Sequence, residues 1–228
     1  MNKKLAYVLG YFYADGYLTG RDNYLYPKLE IVKSDGQNII KCLDDLKIKY
    51  TTRYRFRKNS KNEQICISIS SSDKAIELFR NVLSDKINMF NVLKYITDTN
   101  IPYFLRGFFD GDGCINISKN NHCRLYFYGS FDQNWEIVFS VLKKLDIKYT
   151  FQQIIRKNGK HKSTHIVVSN KYGINILYEY LYPNRKYDFG LLRKYEKLNT
   201  IKGLIKSNHI IKYIDTQVVS KVKNYKNC

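Results

Sequence analysis

Ile101–Gly113 reads IPYFLRGFFDGDG, and Leu5–Gly16 reads LAYVLGYFYADG. At an offset of 97 residues Gly10 meets Gly107, Phe12 meets Phe109, Asp15 meets Asp112 and Gly16 meets Gly113. Each copy is a short apolar stretch that ends in an acidic residue followed by glycine. Two such helices in one chain predict two half-domains meeting at a pseudo-twofold axis.

The elements after each copy repeat as well. Strands are expected near 17–19, 26–33, 51–58 and 64–70, with helices over 37–46 and 74–83; alternation such as Leu29 and Ile31 against Lys28 and Glu30 marks a half-buried strand. From Ile101 the same order returns, with strands near 114–118, 124–129, 149–157 and 163–169 and helices over 133–145 and 172–182. Ile48-Lys49-Tyr50-Thr51 recurs as Ile147-Lys148-Tyr149-Thr150. Repetition over this many elements points to duplication of one αββαββα unit. The expected organisation is a first half over 1–87, a linker over 88–100, a second half over 101–200 and a basic tail over 201–228. The class is α+β, with one antiparallel sheet in each half.

Composition narrows the partners. Lys and Arg number 39 against 20 Asp and Glu, a net charge of +19 in 228 residues, which favours a polyanion. A membrane partner is disfavoured, because no apolar run reaches about 18 residues. The five cysteines show no CxxC spacing, so reduced thiols in an intracellular protein are expected instead of a zinc site or a disulfide frame. The wealth of Lys, Asn, Ile and Tyr fits an AT-rich genome: organelle, phage or low-GC bacterium.

Ala6, Gly10 and Ala14 lie four apart, a small-residue stripe down one helix, and Gly107 and Gly111 continue that logic in the second copy. Such stripes let two helix backbones approach. Asp15 and Asp112 then stand at helix C-termini, where the macrodipole already disfavours a negative charge. Bringing two carboxylates together is worse. Divalent cations reverse that sign, since carboxylate oxygens are preferred ligands of Mg²⁺, and metal ions between carboxylates serve phosphodiester hydrolysis.

The pair LGYFYADG and LRGFFDGDG resembles the twin motifs of the double-motif LAGLIDADG homing endonucleases, and the αββαββα repeat extends the resemblance over almost the whole chain. The resemblance implies a monomer that cuts long double-stranded DNA sites, with paired LAGLIDADG helices and Mg²⁺ held by Asp15 and Asp112. The carbonyls of Ala14 and Gly111 would share in that coordination. Tyr13 stands where the motif has its first acid, whereas Asp110 keeps it. A catalytic lysine at the end of the fourth strand of each half would be Lys74 or Lys171, and a water-holding polar residue closing the second strand would be Asp35, with Ser130 or Asp132 less clearly its counterpart. DNA would be read by the sheet faces, where Arg to guanine and Asn or Gln to adenine are the informative pairings. Candidates are Arg21, Lys28, Lys33, Arg53, Arg55 and Arg57 in the first half, and Lys119, Arg124, Gln152 and Arg156 in the second. Gln153 should point the opposite way from Gln152. Two rival readings share the fold: an intron RNA maturase, and a catalytically silent DNA-binding regulator. The final Asn227-Cys228 looks like an intein junction, but no His precedes it and no Cys or Ser opens the chain.

Overall fold

A computed structural model describes residues 1–21, 24–56, 62–155 and 162–203. Arg57 and Arg156, most of the two Lys/Asn-rich loops after them, and the tail beyond residue 203 lie outside the described residues. The first half runs α1 (Lys3–Asp15), β1 (Gly16–Arg21), β2 (Tyr24–Val32), α2 (Lys33–Asp45), β3 (Tyr50–Phe56), β4 (Glu63–Ile69) and α3 (Ile76–Ser84). The second runs α4 (Ile101–Asp112), β5 (Gly113–Ile117), β6 (Cys123–Gly129), α5 (Glu136–Lys144), β7 (Thr150–Ile155), β8 (Lys162–Val168) and α6 (Lys171–Leu181), and α7 (Leu192–Gly203) follows. Each half forms one antiparallel four-stranded sheet, in the orders β1-β2-β4-β3 and β5-β6-β8-β7. The αββαββα duplication is therefore real, in strand order as well as in sequence.

The two motif helices pack on each other through their glycines. A Cβ added at Gly10 would stand 2.0 Å from the Phe104 carbonyl oxygen, and one at Gly107 would stand 1.9 Å from the Tyr7 carbonyl oxygen. Only glycine permits that approach, so the backbones themselves touch. Around this seam Tyr7, Val8, Leu9 and Phe12 of α1 and Phe104, Leu105, Phe108 and Phe109 of α4 are buried, joined to both sheets in one apolar core. Asn2 opens α1, its side chain accepting a hydrogen bond from the Lys4 amide at 2.8 Å, as an N-cap should.

Three helix starts differ from the sequence expectation. α2 begins at Lys33 and not at Gln37, because Gly36 sits inside its first turn: a Cβ there would lie 2.1 Å from an Ile65 methyl. The glycine marks a close helix–sheet contact, not a break. α3 and α5 begin two to three residues late, at Ile76 and Glu136, after turns held by Asp73 accepting from the Ala75 amide and by Asn134 accepting from the Glu136 amide. The literal repeat at 48–51 and 147–150 also has a cause. Lys47 (φ 56°) and Asp146 (φ 54°) both take the left-handed conformation that closes a helix, and the next amides return to the Leu43 and Leu142 carbonyls.

The linker is packed and not extended. Two 3₁₀ turns, Met89–Lys94 and Asp98–Asn100, bury Met89, Val92 and Ile96. Asn134 of the second half donates its amide to the Ile87 carbonyl at 2.7 Å, which fixes the linker's start against α5. Among the described residues no helix is long and apolar enough to cross a membrane.

Candidate active site

α1 and α4 end side by side, so Asp15 and Asp112 arrive together at one end of the seam. A Cβ on Gly111 would lie 2.5 Å from the Ala14 Cβ and 3.1 Å from an Asp15 carboxylate oxygen, which shows how closely the two motif ends meet. Asp15 keeps a solvent-open side, while protein encloses it on the others. Its pKa is pushed up to about 6, first by burial and then by the Asp112 charge. Burial also raises Asp112. Both groups are thus costly to ionise unless a cation arrives.

Two lysines answer that charge, and they are not the ones expected from sequence. Lys86, just after α3, donates to the carbonyls of Ala14 at 2.6 Å and Gly16 at 2.8 Å. Lys194, in the first turn of α7, donates to the carbonyls of Phe109, Asp110 and Gly113 at 2.5, 2.7 and 2.8 Å. Each caps the negative end of a motif helix. Both feel Asp15 or Asp112 directly. Burial lowers both lysines, Lys194 to about 8, and the carboxylates work against that fall.

Lys74 and Lys171 sit elsewhere. Gly16 is level with Leu29 and Ile67, so β4 runs away from Asp15 as it ends. Lys74, in the turn beyond it, is exposed, and Lys171 opens α6 near Cys123, whose thiol feels its charge. Lys86 and Lys194 escape a repeat search because they are 108 positions apart, not 97. The second half inserts the 3₁₀ turn Pro183–Arg185 and the strap 186–191 before its lysine.

The motif's first acid position explains how each lysine is delivered. In the second half Asp110, fully buried, accepts from the Leu191 amide at 2.9 Å and the Tyr7 hydroxyl at 2.8 Å, pinning the strap just before Lys194. In the first half Tyr13 donates its hydroxyl to the Lys86 carbonyl, and Gln133 reaches the same oxygen at 3.0 Å. The same position does one job with opposite hydrogen-bond polarity. Beside the strap, the buried Arg106 pairs with Asp188 at 3.0 Å inside a cage of Tyr7, Tyr103, Tyr182 and Phe189, with Phe189 closest at 4.0 Å from the ring centre. Asp35, in the first turn of α2, is bound by Arg193 of the opposite half, Nη2 to Oδ2 at 2.7 Å and Nε to Oδ1 at 3.3 Å.

The donor set suits a hard divalent cation. Among the described residues no cluster of three or more His, Cys, Asp or Glu could hold a metal. Two carboxylates are therefore the protein's anionic share. The Ala14 carbonyl, though engaged by Lys86, keeps a second lone pair, and the Gly111 carbonyl stands beside it at the other motif end. Mg²⁺ retains water and takes substrate phosphate oxygens to complete its shell, so this partial set fits.

One pH effect follows for the metal-free protein. Asp15 titrates near 6 when folded and near 3.8 otherwise. Its contribution to stability is full below about pH 4 and lost as pH rises through about 6. Thermal melts in chelator should show this group favouring the fold at pH 5 over pH 8. Millimolar Mg²⁺ should raise the melting temperature more at pH 8 than at pH 5. Equal Mg²⁺ shifts at the two pH values would contradict a cation bound between these carboxylates.

Comparison with known proteins agrees with the geometry. Residues 101–182 match the family profile described as LAGLIDADG-like domain. Among solved structures, I-DmoI in complex with DNA and Mn superposes with a TM-score of 0.51 at 18% identity, covering 79% of this chain and 97% of that one. The homing endonuclease I-WcaI bound to its DNA recognition sequence gives 0.56 at 18%, covering 86% and 85%. Full-length DUF199/WhiA from Thermatoga maritima gives 0.54 at 14%, covering 96% and 67%. No curated protein sequence matches. Residues 101–182 thus carry a LAGLIDADG-like domain.

Register defines the outer faces of the two sheets. Tyr17 pairs with Lys28, Lys28 with Ser68 and Ser68 with Thr51; Arg21 pairs with Tyr24; and Glu30, Cys66 and Arg53 form one row. Arg21, Lys28, Arg53 and Arg55 thus share one face, as expected. Arg55, half exposed, is braced by Glu30, which accepts from its Nε at 2.9 Å. Lys33 opens α2 instead, bonded to Glu63 at 2.7 Å and lying over the Tyr54 ring at 5.1 Å. In the second LAGLIDADG sheet Arg124 pairs with Asn116, and Gln152 with His165 and Tyr128, all outward. Gln153 points to the opposite face and stays exposed, its amide reaching the Phe131 carbonyl at 3.5 Å. Lys119 is exposed in the β5–β6 turn.

Proposed function

We propose that this protein is a site-specific homing endonuclease that makes a staggered double-strand break in a long duplex DNA target by Mg²⁺-dependent phosphodiester hydrolysis. The observation that carries the reading is the pair Asp15 and Asp112, delivered to one point by touching motif helices. Two outward basic sheets flank that point in a chain of net charge +19. The similar fold of I-DmoI, in complex with DNA and Mn, and of I-WcaI, bound to its recognition sequence, supports both the partner and the need for a divalent cation.

Asp15, Asp112 and the motif-end carbonyls would hold the cation, which would supply Lewis acidity and an activated water. The chain's own groups do the rest. Lys86 and Lys194 neutralise the ends of the two motif helices and set the local potential for an incoming phosphate. Arg21, Lys28, Arg53, Arg55, Arg124 and Gln152 present donors toward the major groove, whose width admits a β-ribbon. The exposed Lys119 suits a backbone phosphate.

The same fold occurs in a protein described as DUF199/WhiA and not as an endonuclease, which keeps a silent DNA-binding regulator as the second reading. Incubation with a randomised duplex library and Mg²⁺ separates the two. Site-specific double-strand breaks are expected, with affinity falling steeply as salt rises. Tight duplex binding without cutting would favour the regulator, and preference for structured intron RNA would favour a maturase.

A further inference from the structure

We propose that Arg193 is a phosphate-binding residue at only one of the two cleavage positions, held ready by Asp35 of the opposite half. The proposal rests on the nuclease reading and adds a difference between the two strands. α7 places Arg193 directly before Lys194, whose side chain is plugged into the end of α4. Arg193 turns the other way, across the seam. Its Nε and Nη2 edge is taken by the Asp35 carboxylate, which is largely covered, while the guanidinium is more than half exposed. Nη1 and the outer hydrogen of Nη2 are left as a two-pronged donor, the geometry that suits a phosphate.

The position is that of the cleavage site. Asp15 feels the Asp35 charge, and Lys194 feels both Asp35 and Arg193. The pair is not needed to hold the halves together: the glycine seam does that, and so exposed an ion pair adds little to stability. A guanidinium oriented by Asp35, next to the Lys194 whose charge both Asp15 and Asp112 feel, is better explained by what it can receive.

The pseudo-twofold partner is missing. Lys86 and Lys194 perform the same capping role, so the residue before each should correspond. Before Lys86 stands Asp85, turned into its own loop to accept from the Asn88 amide at 3.1 Å and the Asn91 side chain at 2.7 Å. Arg193 therefore has no guanidinium counterpart at the position before Lys86.

The test uses a supercoiled plasmid carrying the duplex that wild-type protein selects from a randomised library, with each strand end-labelled. Wild type should cut one strand first. Arg193→Ala should slow that strand about 100-fold or more and the other by less than about threefold, since removing one preorganised donor from a transition state costs about 100- to 1,000-fold. Arg193→Lys should restore part of the rate, and Asp35→Asn should slow the same strand less. A second readout needs no cutting. In an Asp15→Asn/Asp112→Asn background, Arg193→Ala should lower the salt slope of duplex binding by about one, the signature of a lost phosphate contact. Equal slowing of both strands, unchanged rates, or an unchanged slope would each overturn the assignment. If wild type cuts nothing, the nuclease reading falls and this proposal with it; if wild type cuts and Arg193→Ala acts on both strands alike, only the proposal falls.

Discussion

Asp15→Asn/Asp112→Asn protein is expected to bind its duplex within a few-fold of wild type and to cut it at least about a thousandfold more slowly. The carboxylates stand at the ends of helices whose dipoles repel them, are raised by burial, and repel each other. Lys86 and Lys194 offset that cost only in part, since both carboxylates stay raised. Neutral amides should therefore leave the metal-free protein at least as stable at pH 8 as wild type. They should also remove the Mg²⁺-dependent rise in melting temperature. Strand cleavage, melting with and without Mg²⁺, and duplex affinity check the three parts. Cleavage persisting in the double variant would sink the two-carboxylate site. A double variant that melts well below wild type in chelator would show instead that the carboxylates are structural.

Gly107→Ala is expected to cost about 3 kcal/mol or more, enough to leave a marginally stable chain largely unfolded. The added Cβ would meet the Tyr7 carbonyl oxygen at 1.9 Å and the Tyr11 amide nitrogen at 2.8 Å. Both are backbone atoms of a helix packed on its far side, so no rotamer change relieves the clash. Gly10→Ala should behave alike, because its Cβ would stand 2.0 Å from the Phe104 carbonyl oxygen. Urea denaturation followed by tyrosine and tryptophan fluorescence measures the loss. A native-like midpoint for either variant would mean that the helices can separate without penalty, and the close seam would then be wrong.

The duplication was legible because both of its carriers are periodic: alternating strands, and glycines and acids recurring at a fixed offset. The orientation of Gln152 against Gln153 came from the same alternation. The apolar spacing that marks α2 begins only at Ile39, so its first turn from Lys33 carries no such signal, and Gly36 there answers to an Ile65 methyl from another element. Lys86 and Lys194 were missed because the strap before Lys194 breaks the offset that exposed everything else. Asp35 is expected to close the second strand but lies in the first turn of α2, and its partner Arg193 lies 158 residues away in the other half. No local pattern announces such a pair. Lys74 and Lys171 matched each other in the repeat, yet a matched pair shows duplication and not proximity to the carboxylates.

The backbone contact at Gly10 and Gly107 has a consequence for how such a protein can change. The separation of Asp15 from Asp112 is set by main-chain atoms in contact, with no side chain between them to lengthen or shorten. Arg53, Arg55, Arg124 and Gln152 stand on the outward faces of the sheets, away from that contact. The seam thus acts as a fixed ruler and the sheets as exchangeable type. For the proposed nuclease, drift or deliberate rewriting on the sheets would change which sequence is addressed, while the spacing between the two cuts would stay where the helices put it.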